Sequence, residues 1–234
     1  MMEHSKKDLY DSIWKVKLES GGDALTNRIR EAIKEVSSGF RCLDIGCGDG
    51  LFGSLIRDRY HRLYGIDGSK VALKDAVSRG IHTCLVDLDS GFLPFRDDIF
   101  DCISCLDVVE HIYDPERFIK EISRVLNRDG ILILTTPNIR FIDFLKRILL
   151  NGQFPKTSQD HGSYDGGHIH FFTFKDIRDL LSANGFNILR ERGYDRKDYS
   201  SPKVLLFKLI MRMWERDVKK EFFCPGILFK AKLG

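Results

Sequence analysis

The stretch Leu43–Gly50, LDIGCGDG, runs from an apolar segment into three glycines at alternate positions, Gly46, Gly48 and Gly50. Glycine weakens a strand-to-helix turn unless the backbone must adopt positive φ or another group must come very close. The spacing is G-x-G-x-G followed by Leu51. A dinucleotide-binding turn would carry its third glycine at position 51, and a phosphate loop would continue into Gly-Lys-Ser/Thr. The corner therefore offers a ligand close backbone contact without a pyrophosphate cradle.

Outward from this corner, the chain alternates apolar runs with helical patterns. RCLDIG (41–46), RLYGID (62–67), HTCLVDL (82–88), FDCISCL (100–106) and GILILTTP (130–137) read as strands covered on both faces. Between them, Leu51–Arg59, Ser69–Arg79 and Pro115–Asn127 read as helices. The last has Asp114 as N-cap, Pro115 in its first turn, and Phe118, Ile119, Ile122, Val125 and Leu126 along one face. Lys7–Glu19 and Asp23–Val36 read as two helices ahead of the first strand. Phe174–Asn184 reads as a helix ended by Gly185, Phe186–Gly193 and Gly226–Leu233 as final strands, and Pro202–Arg216 as helical. This order predicts an α/β fold with a doubly wound, mainly parallel sheet and helices on both faces, in one domain over 1–234. Residues 138–173 are too long for a simple connection, and such insertions often carry function.

The 234 residues are 43% hydrophobic and 30% charged, ordinary for a globular chain able to bury its own core. No apolar stretch reaches the roughly 18 residues of a membrane span, and MMEHSKKDLYDS lacks the apolar centre of a secretory leader. A cytoplasmic protein is expected, with its six cysteines reduced and mostly buried. Cys102 and Cys105 form a C-x-x-C, but three residues apart on a strand they face opposite sides. Net charge is +3, yet Arg190–Gly234 holds 12 Lys+Arg against 6 Asp+Glu. Such a surplus could meet an anionic surface, though no basic run exceeds two residues, so a nucleic-acid partner is not expected. The sequence specifies no oligomeric state.

Ligands of open α/β sheets bind beyond the carboxyl ends of the strands, where LDIGCGDG lies. Asp67 ends the next strand and can accept both hydroxyls of a ribose. Asp87 after the third strand can accept from an exocyclic amine, and Leu88 offers an apolar wall to adenine. Asp44 suits a cationic amino group. Ribose, adenine and amino group without phosphate describe S-adenosyl-L-methionine.

LDIGCGDG, YGIDGS, VDLDSGFLPF, FDCISCLDVVEHIYDPERFIKEISRVLNRDGILILTTPN and HFFTFKDIRDLLSANGF occur in that order over roughly residues 40 to 190. In this ordered set the chain resembles the class I S-adenosylmethionine-dependent methyltransferases, in particular the ubiquinone-biosynthesis O-methyltransferase subgroup. The resemblance implies a seven-stranded sheet with an antiparallel last strand. It implies a donor site of Asp44, Gly46, Cys47, Gly48, Asp67, Gly68, Asp87 and Leu88, with Leu106 covering the methionine side. Tyr10 and Trp14 match aromatic positions that cap the donor in related enzymes, so residues 1–38 are expected to cap that site and 138–173 to form part of the acceptor site.

Asp107-Val-Val-Glu110-His111 follows the fourth strand and resembles an E-x-x-E-H element that binds a divalent metal in the ubiquinone subgroup and in small-RNA 3′-terminal 2′-O-methyltransferases. Here Asp107 replaces the first Glu, and Glu110 and His111 equally suit an acceptor pocket without metal; no metal is assigned. His111 is the first candidate for a base that takes a hydroxyl proton, with Glu110 beside it; His161, His168 and His170 follow, and His170 joins the catalytic set. IRFIDFLKRILL within the insertion, and VLLFKLIMRMW at 204–214, are apolar and basic. They would suit a lid over a greasy acceptor, peripheral contact with a membrane, or the core. The leading expectation is methyl transfer to an oxygen of a small-molecule acceptor that is lipid-, quinone- or glycan-precursor-like. RNA 3′-terminal 2′-O-methylation and a non-catalytic, donor-binding regulatory role are the alternatives.

Overall fold

The apolar runs pair as a buried sheet requires. β1 (Gly39–Ile45) lies between β2 (Tyr60–Asp67) and β4 (Phe100–Leu106), parallel to both. β3 (His82–Leu85) joins β2 at one edge, and β5 (Leu126–Pro137) joins β4. β7 (Gly226–Leu233) then inserts antiparallel between β5 and β6 (Phe186–Tyr194). The sheet has seven strands in the order β3-β2-β1-β4-β5-β7-β6. The computed structural model describes residues 6–22, 24–157, 167–194 and 216–234. No helix among the described residues is long and apolar enough to cross a membrane.

Eight helices are described: α1 (Lys6–Glu19), α2 (Asn27–Glu35), α3 (Leu51–Leu55), α4 (Lys70–Ser78), α5 (Pro115–Val125), α6 (Ile142–Asn151), α7 (Phe174–Ala183) and α8 (Arg216–Phe223). Their ends follow capping chemistry more closely than the apolar pattern does. α2 starts at Asn27, not Asp23, because the Thr26 side chain accepts from the Ile29 N–H. The helix expected over 51–59 stops at Leu55 and continues as a 3₁₀ turn, Arg57–Arg59. β3 stops at Leu85, not Leu88, because Asp87 caps a 3₁₀ turn at Leu88–Ser90. α5 ends at Val125, where Leu126 opens β5. Its start is as expected: Asp114 accepts from the Arg117 N–H at 3.0 Å, with Pro115 in the first turn. The helical reading of 202–216 lies outside the described residues except at Arg216.

Alternation along each strand divides the core. Leu43, Ile45, Ile103, Leu132 and Leu134 pack with Phe118, Ile119 and Ile122 of α5 and Phe174, Ile177 and Leu181 of α7. Cys42, Leu63, Cys102, Ile133 and Leu228 face the other way, onto Ile29 and Ala32 of α2 and Phe52 of α3. Cys102 and Cys105 therefore sit in different cores, as the strand period requires, and all six cysteines are free. α2 is docked by charge as well. Its buried Glu35 meets Arg190 at 3.0 Å and Arg192 at 3.3 Å on β6, with Lys230 of β7 at 4.0 Å. This packing holds the carboxyl ends of β1 to β5 along one edge, where the glycine corner opens.

Phe118 is 2% exposed in the larger core. Phe118→Ala is expected to lower unfolding free energy by about 3–5 kcal/mol, read from urea denaturation followed by circular dichroism.

Candidate active site

All three glycines of the corner have positive φ: 68° at Gly46, 55° at Gly48 and 81° at Gly50. Two are also required by close neighbours. A Cβ on Gly46 would lie 2.4 Å from Val108 Cγ2, and one on Gly50 would lie 2.9 Å from Ala76 Cα. The opening question thus has a partly internal answer: the fold itself crowds Gly46 and Gly50. Backbone hydrogen bonds fix the turn. Gly46 N–H and Cys47 N–H both donate to the Ile66 carbonyl, at 2.8 and 3.1 Å. Gly48 N–H donates to Asp67 Oδ2 at 2.9 Å, and Ser69 N–H donates to Asp67 Oδ1 at 2.8 Å.

Other donor-side groups surround this turn. Asp44 is buried and accepts from Ser104 Oγ at 2.6 Å. Asp87 is exposed and accepts from the Asp89 N–H at 3.1 Å, with half-buried Leu88 next to it. Tyr10 packs against Gly68, where an added Cβ would meet the ring at 3.2 Å. Its phenol is pushed up to about 12, chiefly by burial and then by Asp89, Asp67 and Asp87. That places Tyr10 of α1 over the acidic edge of the corner. Asp11, which sequence reasoning missed, accepts from Ser69 Oγ at 2.7 Å and the Val71 N–H at 3.1 Å. It anchors α1 on the first turn of α4, and no motif announces it.

Three further residues expected on this side have buried side chains. The Cys47 side chain packs under the corner with Leu73, Ala76 and Ile81. Burial, then Asp44 and Asp67, push its thiol up, so it stays protonated. Leu106 is buried in the α2-side core. Trp14 is buried, with Lys17 Nζ 4.2 Å from its ring centroid.

Beyond β4 the two acids part. Asp107 has φ 55° and turns toward the sheet. Its Oδ2 meets Arg28 at 2.9 Å, and its Oδ1 accepts from Thr135 Oγ1 at 2.9 Å and the Tyr194 hydroxyl at 3.3 Å. It takes no part in the group that its place in the motif implied. Glu110 does: it is 1% exposed, and its Oε2 accepts from Thr136 Oγ1 at 3.0 Å. His111 and His168 stack edge to face, with centroids 4.5 Å apart. His168 Nε2 lies 3.9 Å from Glu110 Oε1, and its Nδ1 pairs with the buried Thr157 hydroxyl at 2.6 Å. His111 Nδ1 lies 3.2 Å from the Gly167 carbonyl. A carbonyl only accepts, so Nδ1 carries a proton in this pair, and Nε2 is the atom through which a neutral His111 would act as a base. The returning chain is held here because Ile169 N–H and His170 N–H both donate to the Glu110 carbonyl, at 3.0 and 3.1 Å. His170 itself turns aside, with Nε2 3.4 Å from the Tyr113 carbonyl. His161 lies outside the described residues.

Glu110, His111 and His168 each offer a ligand atom, all within 4.8 Å of one another. Two imidazoles and a carboxylate suit a divalent first-row metal, so this donor set, and not one containing Asp107, fits such an ion.

A seven-stranded sheet of this order, with a glycine corner followed by ribose- and adenine-matching acids, defines a class I methyltransferase fold. Comparison with known proteins agrees: the methyltransferase-domain family model matches residues 17–191. The chain belongs to that family and is an S-adenosylmethionine-dependent methyltransferase. It is 31% identical over 178 residues to an uncharacterised protein of Methanocaldococcus jannaschii, covering 70% of this chain and 68% of that one. It is 24% identical over 198 residues to the ubiquinone biosynthesis O-methyltransferase of Rickettsia typhi, covering 80% and 72%. Other curated relatives are much longer than the match, and the chain spans 29% to 35% of their length. Among solved structures, it superposes with a TM-score of 0.67 on a chain of the complex between the Haloferax volcanii Trm112 methyltransferase activator and a methyltransferase. That match has 16% identity and covers 97% of both chains.

The corner fits the donor that this family uses: positive-φ glycines bring backbone close, and Asp44 and Asp67 stand ready-placed beside them. Asp67→Ala is expected to weaken S-adenosylmethionine binding at least tenfold, about 1.4 kcal/mol, in calorimetry. Asp11→Ala, which frees α1 from α4, is expected to weaken it by a smaller factor, chiefly through faster donor release in stopped-flow measurements.

Proposed function

We propose that the chain transfers the methyl group to an oxygen of a small-molecule acceptor of lipid-, quinone- or glycan-precursor type. The observation that carries this reading is the grouping of His111, its Nδ1 on the Gly167 carbonyl, with buried Glu110 and His168 at the carboxyl end of β4. An alcohol or phenol is a poor nucleophile until its proton is taken, and a positioned histidine does this near neutral pH.

On this reading, Asp44 holds the donor's amino group, Asp67 its ribose, and Asp87 and Leu88 its adenine, while the backbone at Gly46, Gly48 and Gly68 admits it closely. Tyr10 closes over it, with α1 as part of a cap formed within residues 1–38. The donor supplies an already activated methyl group, so the protein's task is mainly alignment. The 138–173 insertion walls the acceptor, Thr157 and Glu110 orient His168, and His111 Nε2 takes the acceptor proton. If Glu110, His111 and His168 instead held a divalent ion, His111 Nε2 would be a ligand and not the base, and the ion would lower the acceptor's pKa by direct ligation.

The same three residues favour a second reading, methylation of an RNA 3′-terminal 2′-hydroxyl with metal assistance. The two separate in one screen of phenols, catechols and short RNAs, with and without Mg²⁺ or Mn²⁺. Metal-dependent turnover on RNA ends alone would put the second reading first. For the leading one, His111→Ala is expected to lower kcat about 10²–10⁴-fold while calorimetry finds donor affinity unchanged. A His111→Ala enzyme that turns over at the native rate would exclude the base role.

A further inference from the structure

α6 lies in the insertion next to the acceptor side and differs from the other long helices of the sheet layers. α5 and α7 bury Phe118, Ile119, Ile122 and Val125, and Phe174, Ile177 and Leu181, respectively; α6 buries none of its ten residues. Only its start is anchored, by buried Phe141 stacked on Phe144 at 5.3 Å between centroids. From Lys146 to Phe154 every residue is exposed. Leu149 is 78% exposed, Leu150 79% and Phe154 60%. Adjacent leucines so exposed at a helix end cost hydration free energy with no return from packing within the described residues.

The flanks are basic. Lys146, Arg147 and Lys156 are exposed around this apolar tip, and Asp143, bound to Lys146, is the one acid between Phe141 and Lys156. The tip is also tied to the site. Phe154 stacks on Phe171 with centroids 4.7 Å apart, on the segment that carries His168 and an exposed Ile169. We propose that the carboxyl-terminal half of α6, with Phe154, is an interfacial seat that binds an anionic lipid bilayer. Leucine and phenylalanine side chains enter the headgroup boundary, and lysine and arginine meet the lipid phosphates. The occupant is chosen by charge complementarity: exposed Lys146, Arg147 and Lys156 flank the apolar tip and match the phosphates of an anionic bilayer. That the bilayer also supplies a membrane-soluble acceptor rests on the function proposed above.

The test is flotation of the full chain with phosphatidylcholine vesicles, without and with phosphatidylglycerol. Binding is expected only with the anionic lipid and weakens with added salt. Leu149→Asp/Leu150→Asp is expected to cut partitioning at least about tenfold, whereas Val77→Asp, at an exposed apolar residue of α4, leaves it unchanged. Donor calorimetry on each variant reports that the fold is intact, so failure of the seat is distinct from failure of the methyltransferase reading. No flotation with anionic vesicles, equal flotation of the double variant, or dimerisation through Leu149 and Leu150 in light scattering would each overturn the proposal.

Discussion

Asp67 accepts one N–H from the turn after β1 and another from the turn after β2. The two turns would otherwise be joined only through the Ile66 carbonyl, which already takes the N–H groups of Gly46 and Cys47. One side chain thus sets the gap between the glycine corner and the start of α4. Through Ser69 it also sets the position of Asp11, and so of α1. An acid is needed because each N–H must find an acceptor in a buried place. On the proposed function the same nearly buried carboxylate would serve both fold closure and donor recognition.

The turn after β4 divides its acids by backbone geometry. Asp107 takes a left-handed φ, which aspartate tolerates better than most residues. Its N–H donates to both Thr135 O and Thr135 Oγ1 at 3.0 Å, and its carboxylate is drawn to Arg28 and Tyr194. That conformation sends Val108 under the corner and brings Glu110 back over β5, onto Thr136. The motif spacing places two acids three residues apart. The turn uses one to brace α2 and the sheet, and one to face the histidines.

What could be read from sequence was whatever repeats. Continuous apolar strands, the glycine corner and the Asp-Pro start of α5 gave the topology and the donor edge, because those patterns are local consequences of burial and capping. Helix and strand ends were less legible, since Thr26 and Asp87 stop their elements through side-chain caps that the apolar pattern does not contain. The side chains of Cys47 and Leu106 pack into the cores, which the sequence does not state; a motif specifies a backbone position and not a side-chain direction. His168 over His170 depends on how the returning chain crosses Glu110, a contact made 58 residues downstream in spacing that no local pattern encodes. Asp11 acts across a similar separation.

The contact between Val108 and Gly46 bears on how the glycine corner is spaced from the next loop. A methyl of Val108 fills the space where any larger residue at position 46 would put its first carbon. Val108 is followed at once by the turn that holds Glu110 and His111. The glycine corner and the loop after β4 are therefore in direct van der Waals touch. On the proposed function, the donor corner and the acceptor loop would keep their spacing through this contact as the two substrates arrive. On that reading, the Asp11 bonds to Ser69 and Val71 would make α1 the part of the donor site fastened, among the described residues, by the fewest backbone ties to the sheet's own turns, so that exchange of the donor would be felt first at that helix.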